Sequence, residues 1–371
     1  MWIDVVRRWW WLWAQCPGIG PARLAQLQGV AREHGTDLGG LWAWPLDQLR
    51  TVLPWSDQVM CALEQHRQRL GPDPRLPLPK RLLLPLDSNW PNGFRALDRP
   101  PVMVFWEGND SLIAPLISGQ AVAVVGSRRP SAHGLRAAGR LGEALARAGW
   151  PVVSGLAEGI DAAVHQGCLR GGGAPVGVLG TPLARAYPPE HRQLQSEVAA
   201  AGLLITELAP GARVQRSSFA LRNRLLVALA QVVVVVECPE GSGALLSAKA
   251  AQKQGRALWA MPGDVLRHSA RGSNQLLMEQ ARPLLDPDQW VEDLGAGPLA
   301  PRCELQALRS AVPPQQGLHD PSLMTLLEDG ATLQQLAQGL GRSPAALAEQ
   351  LVQLELEGVL KAEAGMRWRL A

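Results

Sequence analysis

The sequence predicts an α/β protein built on a doubly wound, mostly parallel sheet. Between residues 121 and 285, segments of strand and helix propensity alternate strictly. The strand segments are continuous runs of Val, Ile and Leu, such as 232–236, instead of an alternation of apolar and polar residues. Strands buried on both faces have this composition, so helices are expected on both sides of an extended Rossmann-like sheet.

The first 75 residues predict a separate helical domain, of the SAM-like or helix-hairpin-helix-like kind. Leu24 and Leu27 stand at helical spacing, and Pro17 and Gly20 mark a tight turn between two helices. Such a turn can present backbone N–H groups to a phosphate. A plain helical hairpin is favoured over a phosphate-binding turn, because Arg23 is nearly the only basic residue beside the turn.

The central domain is expected to span residues 80–295. Prolines crowd residues 71–101 and predict a linker near 71–80, followed by a short strand at 102–106. The main elements are expected as strands at 121–125, 151–154, 176–179, 203–206, 232–237 and 257–261, and as helices at 132–148, 160–169, 189–201, 218–230, 244–254 and 274–280.

The C-terminal part predicts a winged helix. Residues 286–320 are rich in Pro and Gly and structureless by pattern, with the linker itself at 296–320. Residues 321–371 then give three helical segments and two strand-like pieces. The stretch 344–357, at the place of a recognition helix, has three Glu and no Lys or Arg. Protein contact or a structural role is therefore favoured over DNA reading and over a transcription regulator.

Composition and charge narrow the class of protein. Of the 371 residues 47% are hydrophobic, which excludes a largely disordered chain. The net charge is +3, but residues 121–282 alone carry +8 and the remainder −5. A basic segment of this kind can bind phosphates or simply favour solubility.

The five cysteines show no metal-ligand spacing, and the Trp-rich N-terminal segment is too short to span a bilayer. A cytoplasmic protein with no metal, no cofactor and no membrane contact is expected.

Four Gly-rich or Ser-rich loops follow strands at what should be one edge of the sheet. These loops are 126–131, 154–159, 180–182 and 240–243. Ligands bind at the carboxyl ends of parallel strands, and helix N-termini favour phosphate there. The first loop is not a dinucleotide fingerprint, since Arg128 would occupy the pyrophosphate position, and a P-loop is absent. Asp161 and His165, one helical turn apart, could serve catalysis, although Asp161 is equally explained as a helix N-terminal residue.

An Arg-rich segment, 213–224, lies at the start of a predicted helix. It contains four Arg, Asn223 and Phe219, and the whole chain has only three Phe. Arg side chains could bind phosphates while a base stacks on Phe219. A Phe packed in the core beneath solvated Arg is the alternative.

Ordered motifs through most of the chain resemble the DNA-processing protein A family (DprA, also called Smf). The motifs are the Val-Gly-Ser-Arg-x-x-Ser loop at 125–131, 153–161 with His165, the Phe-x-x-Arg-Asn-Arg run at 219–224, Ser242-Gly243, Gly255-Arg256, and 261–263 with 272–276. Some positions differ from the family pattern, among them Ala220 where proline is common, Trp90, 244–247, and 181–184, which leaves the role of that last loop open.

The resemblance implies a non-enzymatic single-stranded DNA-binding recombination mediator, which loads RecA onto incoming DNA during natural transformation. It implies a homodimer, with RecA and a single-strand-binding protein as partners. Arg128 is expected to hold a phosphate, and Phe219 to stack a base. No catalytic residue is expected. The residues expected at the single-stranded DNA site are Gly126, Ser127, Arg128, Ser131, Ser154, Gly155, Arg216, Phe219, Arg222, Asn223, Ser242 and Gly243.

A nucleotide-processing enzyme similar to the lysine-decarboxylase-like phosphoribohydrolases is the alternative function. Those enzymes carry a Pro-Gly-Gly-x-Gly-Thr-x-x-Glu signature. The corresponding stretch here, 239–247, has Ser247 where the signature has its acid/base Glu. This difference argues against the alternative, which release of a free base from a nucleoside monophosphate would revive.

Overall fold

The computed structural model describes residues 2–74, 77–279, 281–300, 321–328, 330–356, 359–363 and 367–370. The chain forms two compact units, residues 1–300 and 301–371. Most of the predicted linker, from residue 301 on, lies outside the described residues.

A nine-stranded sheet forms the centre of the first unit. Its strands are β1 (Leu82–Leu83), β2 (Val104–Gly108), β3 (Val122–Val125), β4 (Val152–Ser154), β5 (Pro175–Val178), β6 (Leu203–Thr206), β7 (Val232–Val235), β8 (Ala257–Ala260) and β9 (Arg282–Pro283). They lie in the order β1-β2-β6-β5-β4-β3-β7-β8-β9. The pairs from β6 to β9 are parallel, whereas β1 and β2 add an antiparallel edge. The predicted large, mostly parallel sheet is confirmed.

Helices surround this sheet. They are α1 (Trp2–Ala14), α2 (Pro21–Glu33), α3 (Leu38–Ala43), α4 (Leu46–Val52), α5 (Asp57–Leu70), α6 (Asn92–Arg95), α7 (Ile113–Ile117), α8 (Ala132–Arg147), α9 (Ile160–Arg170), α10 (Arg192–Ala201), α11 (Arg216–Ala228), α12 (Gly243–Lys253), α13 (Arg271–Glu279) and α14 (Pro287–Leu294). Short 3₁₀ turns occupy Asp110–Leu112, Pro189–His191 and His268–Ala270.

The valines of the central strands alternate between two cores, one on each face of the sheet. Ala123 and Val125 of β3 pack with α11 and α12, whereas Val122 and Val124 pack with α8, α9 and α14. Both sets are buried because each face carries helices. The continuous valine runs of the sequence therefore have the physical cause that the pattern indicates.

A Trp-rich core holds the N-terminal helices. Trp13 of α1 packs edge-on against Trp42 of α3 at 5.2 Å between ring centroids, and its indole N–H donates to the Leu38 carbonyl at 2.8 Å. Trp10 donates to the Val102 carbonyl at 2.8 Å, close to the start of β2. The indole N–H groups of Trp10 and Trp13 thus both have a partner, as burial of a polar group requires.

One sequence interpretation is wrong in this unit. Residues 286–320 were expected to be structureless, yet Pro287–Leu294 is helical. The Asp286 carboxylate accepts hydrogen bonds from the amides of Asp288 and Gln289, and Pro287 occupies the first helical turn. Trp290 and Val291 are buried against the sheet core. The capping signals were present in the sequence, but the Pro-rich composition obscured them.

The second unit is small and mixed. Its described elements are helices Pro321–Glu328, Leu333–Leu340 and Pro344–Leu356 and the strands Ala331–Thr332, Leu360–Glu363 and Arg367–Leu370. The last strand lies between the other two and pairs antiparallel with both. Buried leucines, among them Leu336, Leu351 and Leu354, form its core.

Close contact between α8 and α9 depends on glycines. A Cβ atom on Gly167 would lie 2.1 Å from the Gly139 carbonyl oxygen. Gly29, in the middle of α2, has open space around it. Gly167→Ala is therefore expected to lower the free energy of unfolding by about 1–3 kcal/mol through overpacking, whereas Gly29→Ala raises it by about 0.5–1 kcal/mol through helix propensity.

Urea denaturation followed by Trp fluorescence measures both values. Equal effects of the two substitutions would contradict the close packing of α8 on α9.

Candidate functional site

A cleft opens at the carboxyl edge of the sheet, where the strand order changes direction between β3 and β7. Its volume is about 530 Å³. Open parallel sheets bind ligands at such a switch point, because the loops on its two sides diverge. The residues that line it are Val125, Gly126, Ser127, Arg128, Arg129, Ala157, Asp161, Arg216, Phe219, Ala220, Arg222, Asn223, Leu226, Pro239, Ser242, Gly243, Ala244, Leu246 and Ser247.

The loop after β3 is held by its backbone. The Ser127 amide donates to the Glu237 carbonyl at 2.7 Å, and the Ser127 carbonyl accepts from the Ile160 amide at 3.1 Å. A Cβ atom on Gly126 would lie 2.5 Å from the Ile160 side chain, so only glycine fits. The Ser127 hydroxyl accepts from the Arg129 amide at 3.0 Å. The loop is thereby fixed, and the exposed Arg128 side chain lines the cleft.

Arg222 is buried beneath the cleft. Its guanidinium donates to the carbonyl oxygen of Gly155 at 2.8 Å and to that of Val178. Asp161 supplies the opposite charge, and its carboxylate accepts hydrogen bonds from the amides of Gly155 and Ala157 at 3.1 and 3.4 Å.

Burial raises the pKa of the Asp161 carboxyl, against the opposing effects of the Arg222 charge and the two amides. Burial also lowers the pKa of Arg222, although a guanidinium stays protonated in proteins. The charged guanidinium of Arg222 is thus engaged by backbone carbonyl oxygens at the ends of β4 and β5.

Aromatic rings form a partly exposed surface at the start of α11. Phe219 is half-buried, and its ring lies 4.7 Å from the ring of Tyr187. The Arg128 guanidinium lies over Phe219 at 6.0 Å from the ring centroid. The sequence interpretation did not place Tyr187 at the site. The available sequence signal was that Tyr187 is the one tyrosine of the chain. In the structure this residue is 45% exposed, which is unusual for an aromatic residue with only a core role.

The structure separates the expected site residues into two groups. Gly126, Ser127, Arg128, Arg216, Phe219, Arg222, Asn223, Ser242 and Gly243 line the cleft. Ser131, Ser154 and Gly155 are not among its lining residues.

The three residues outside the cleft have bonds of their own. The Ser131 hydroxyl caps α8 and donates to the Glu237 carboxylate at 2.6 Å. The buried Ser154 hydroxyl donates to the Val124 carbonyl at 2.7 Å, and Gly155 holds Arg222 and Asp161. These contacts position the strands and loops that surround the cleft.

The cleft is positively charged. Arg128, Arg129 and Arg216 are exposed around it. Asp161 is its one carboxylate among the lining residues, and Asp161 faces the buried Arg222. The N-termini of α11 and α12 also border it, and helix N-termini favour anions. The arrangement can bind phosphate groups and stack planar rings.

The catalytic hypothesis for Asp161 and His165 has little geometric support. His165 has no exposed surface, and both of its ring nitrogens are buried. Burial lowers the pKa of His165 to about 3. The imidazole is therefore neutral and enclosed, without access to a ligand in the cleft.

In the described part of the chain, no cluster of three or more His, Cys, Asp or Glu could hold a metal ion. In the same residues, no helix combines the length and the apolar character that crossing a bilayer requires.

Comparison with known proteins assigns the chain to a family. The family of DNA recombination-mediator protein A matches residues 81–295. Protein Smf of Synechocystis is 30% identical over 97% of this chain and 98% of its own length. DNA processing protein DprA of Bacillus subtilis is 32% identical over 57% of this chain and 70% of its own length.

Two solved structures are similar to this one. DNA processing protein A from Streptococcus pneumoniae superposes with a TM-score of 0.63 at 25% identity, covering 76% of this chain and 95% of the other. The protein of the same name from Helicobacter pylori, whose structure addresses its single-stranded DNA binding mode, gives a TM-score of 0.51 at 30% identity over 56% of this chain and 94% of the other.

The enclosed His165 predicts a pH dependence of stability. The unfolded imidazole takes up a proton below pH about 6.5, whereas the folded one stays neutral down to about 3. The contribution to stability is therefore complete above pH about 6.5 and is lost as the pH falls through this window. Relative to His165→Gln, the wild-type free energy of unfolding should fall by up to about 1.4 kcal/mol for each pH unit below about 5.5.

Urea denaturation at a series of pH values measures this difference in slope. Parallel pH profiles for the two proteins would show that His165 can be protonated in the folded state.

Proposed function

This chain belongs to the DNA recombination-mediator protein A family, and on this basis we propose that it binds single-stranded DNA in the cleft between β3 and β7. The observation that carries the proposal is the placement of the Arg128 guanidinium over the half-buried ring of Phe219, with Tyr187 beside it. Cation and aromatic surface meet at one point of a basic cleft, which is the combination that holds a phosphate and stacks the adjoining base.

A single strand fits this geometry better than a duplex. Stacking on Phe219 or Tyr187 needs a free base face, which a paired and stacked duplex does not offer. Arg128, Arg129 and Arg216 supply the positive charge for the backbone. Binding should therefore depend strongly on salt and little on base sequence.

The alternative, a phosphoribohydrolase-like enzyme, has less support. Ser247 stands where that enzyme signature has its Glu, and it lines the cleft as a buried residue. The one lining carboxylate, Asp161, is buried and engaged by backbone amides. We therefore propose that the protein binds single-stranded DNA and does not catalyse a reaction. Release of a free base from a nucleoside monophosphate would support the enzyme instead.

The finer parts of the proposal rest on family membership. We propose that the protein hands its strand to RecA during natural transformation, in the cytoplasm, with a single-strand-binding protein as a further partner. We further propose that residues 1–75 act as the SAM-like or helix-hairpin-helix-like domain, that 80–295 bind the strand, that 296–320 link, and that 321–371 form a winged helix. The helix and strand order of the second unit supports the last assignment.

We also propose a homodimer, formed through the edge of the sheet at β8 and β9. β9 pairs only with β8 among the described strands. Four large apolar side chains near this edge are almost fully open: Val265, Leu266, Met278 and Leu285 are 79%, 89%, 89% and 78% exposed. Exposed apolar groups of this number are typical of an interface between protein surfaces.

Arg128→Ala should weaken single-stranded DNA binding about tenfold for every sequence, because one ionic phosphate contact and its cation–π partner are lost. Phe219→Ala should cost about 1–3 kcal/mol through lost stacking. Fluorescence anisotropy with labelled single-stranded and duplex oligonucleotides, across a salt series, measures both. The matched control is Arg136→Ala, which removes an exposed Arg of α8 that does not line the cleft.

If Arg128→Ala binds single-stranded DNA with the wild-type affinity, the cleft is not the DNA-binding site. The same variant should also lose RecA loading on a strand covered by single-strand-binding protein, followed by RecA-dependent ATP hydrolysis. Retained loading by a variant that no longer binds the strand would contradict the mediator function.

Leu266→Glu combined with Met278→Glu should convert the homodimer into a monomer, since two charges would be desolvated at the interface. Light scattering after size exclusion measures the mass. Leu135→Glu, at an apolar residue of α8 that is 41% exposed, is the control and should leave the dimer intact. If the wild-type protein is a monomer, or if the double substitution leaves the dimer intact, the β8–β9 edge is not a dimer interface.

A further inference from the structure

A second cavity, of about 560 Å³, lies between the N-terminal helices and α11. Its walls are largely apolar and come from both parts of the first unit. The residues that line it are Gly20, Pro21, Ala22, Asp98, Arg99, Pro100, Pro101, Val102, Leu179, Gly180, Glu207, Leu208, Ser218, Leu221 and Arg224. We call it the proline cavity, after Pro21, Pro100 and Pro101.

The proline cavity and the cleft share helix α11 as a wall. Ser218, Leu221 and Arg224, spaced by three residues, face the proline cavity. Phe219 and Arg222 belong to the set that faces the cleft. At 3.6 residues per turn these two sets lie on different sides of the helix. A ligand that passes around the first turn of α11 can therefore reach both spaces.

Phe219 marks the boundary between the two spaces. Gly180 lines the proline cavity, and a Cβ atom placed on it would lie 2.7 Å from the ring of Phe219. Gly180 is thus in contact with the ring on which a base is proposed to stack. The single strand in the cleft and the proline cavity meet at this ring.

Charges at the proline cavity leave one cation available. Glu207 and Arg224 form an ion pair at 2.7 Å, and Asp98 pairs with Lys253. Arg99 is exposed and forms no hydrogen bond or ion pair with any described residue. An exposed, unpaired Arg beside an apolar cavity is the arrangement that holds a phosphate while the base rests on apolar surface.

The first turn of α2 contributes to the same wall. Gly20 precedes the helix without a side-chain cap, and Pro21 follows it. The Arg23 guanidinium donates to the Gly18 carbonyl at 2.5 Å and lies over Trp55, which holds the turn in place. The exposed Ala22 therefore stands at a helix N-terminus with positive partial charge, facing the cavity that Arg99 also borders.

We propose that the proline cavity is a second nucleotide subsite, which receives the continuation of the single strand bound in the cleft. One base lies against Pro101 and Leu208, and its phosphate lies at Arg99 and the first turn of α2. The inference rests on the proposed function, because the strand must first occupy the cleft. Continuity through Phe219 favours the same strand over an unrelated peptide as the occupant.

Binding as a function of strand length tests the subsite. Oligothymidylates of about 4 to about 20 nucleotides cover the range of sites that single-strand-binding modules occupy. Wild-type affinity should rise with length once the strand extends from the cleft into the proline cavity. Arg99→Ala should lower the affinity for long oligonucleotides about fivefold and leave that for the shortest ones unchanged. The magnitude of its salt slope should fall by about 0.7 for long strands only.

Ala22→Glu is the second variant. A Glu in the first turn of α2 is favourable for the helix, so folding is preserved, but its charge should repel the phosphate. Ala22→Gln is its neutral control, and Arg32→Ala, at the opposite end of α2, is the control for Arg99→Ala. Ala22→Glu and Arg99→Ala should reduce the increase in affinity with oligonucleotide length, whereas both controls should show the wild-type increase.

The outcomes separate the two proposals. If wild-type protein binds no single strand, both the proposed function and the subsite fail. If it binds and Arg128→Ala weakens all lengths, while Arg99→Ala and Ala22→Glu keep the wild-type dependence on length, the cleft stands and the subsite is overturned. Crosslinking with a photoreactive thymidine gives an independent measurement. Crosslinks in the peptide that contains Pro101 or Leu208 are expected, and crosslinks confined to cleft residues would also overturn the subsite.

Discussion

The buried guanidinium of Arg222 is the interaction on which the cleft depends. It donates to carbonyl oxygens at the ends of β4 and β5, while its own backbone belongs to α11. It therefore ties a helix that follows β6 to two strands that precede β6. Asp161 offsets the cost of burying Arg222, because its carboxylate carries the opposite charge. Two backbone amides donate hydrogen bonds to that carboxylate. Removing either partner would leave an uncompensated charge in the interior.

The bonds that hold Arg222 also fix the position of the first turn of α11. Phe219 is three residues before Arg222 and Arg216 begins the helix, so both are placed at the cleft by the same anchor. Gly155 lies so close to the guanidinium that a Cβ atom would be 2.4 Å from it. Gly155 must therefore be small because the Arg222 side chain packs against it. The amide and carbonyl of Gly155 support the cleft from beneath, and Gly155 itself does not line it.

The parallel sheet could be predicted because burial on both faces leaves a direct signature in runs such as Val232–Val235. Arg222 shows where prediction from the sequence ends. Its neighbours Arg216 and Arg224 have the same side chain, yet one is exposed, one is paired with Glu207, and Arg222 is buried. Residue type and spacing carry no information on burial, which depends on contacts distant in the chain. Ser131 shows the same limit, because its partner Glu237 is 106 residues away.

The proposed tolerance of base sequence is explained by the way the polar side chains of the cleft are used. Reading a base edge needs amide or carboxylate groups that are free to form directed hydrogen bonds. The Asn223 amide accepts from Arg222 at 3.2 Å and donates to the Gly243 carbonyl at 3.3 Å, so both of its ends are engaged. The Asp161 carboxylate is buried. What remains accessible is Arg charge and the ring surfaces of Phe219 and Tyr187, and these bind any phosphate and any base face. The proposed binding of DNA of any sequence relies on this separation, in which directed hydrogen bonds build the scaffold and undirected forces hold the strand.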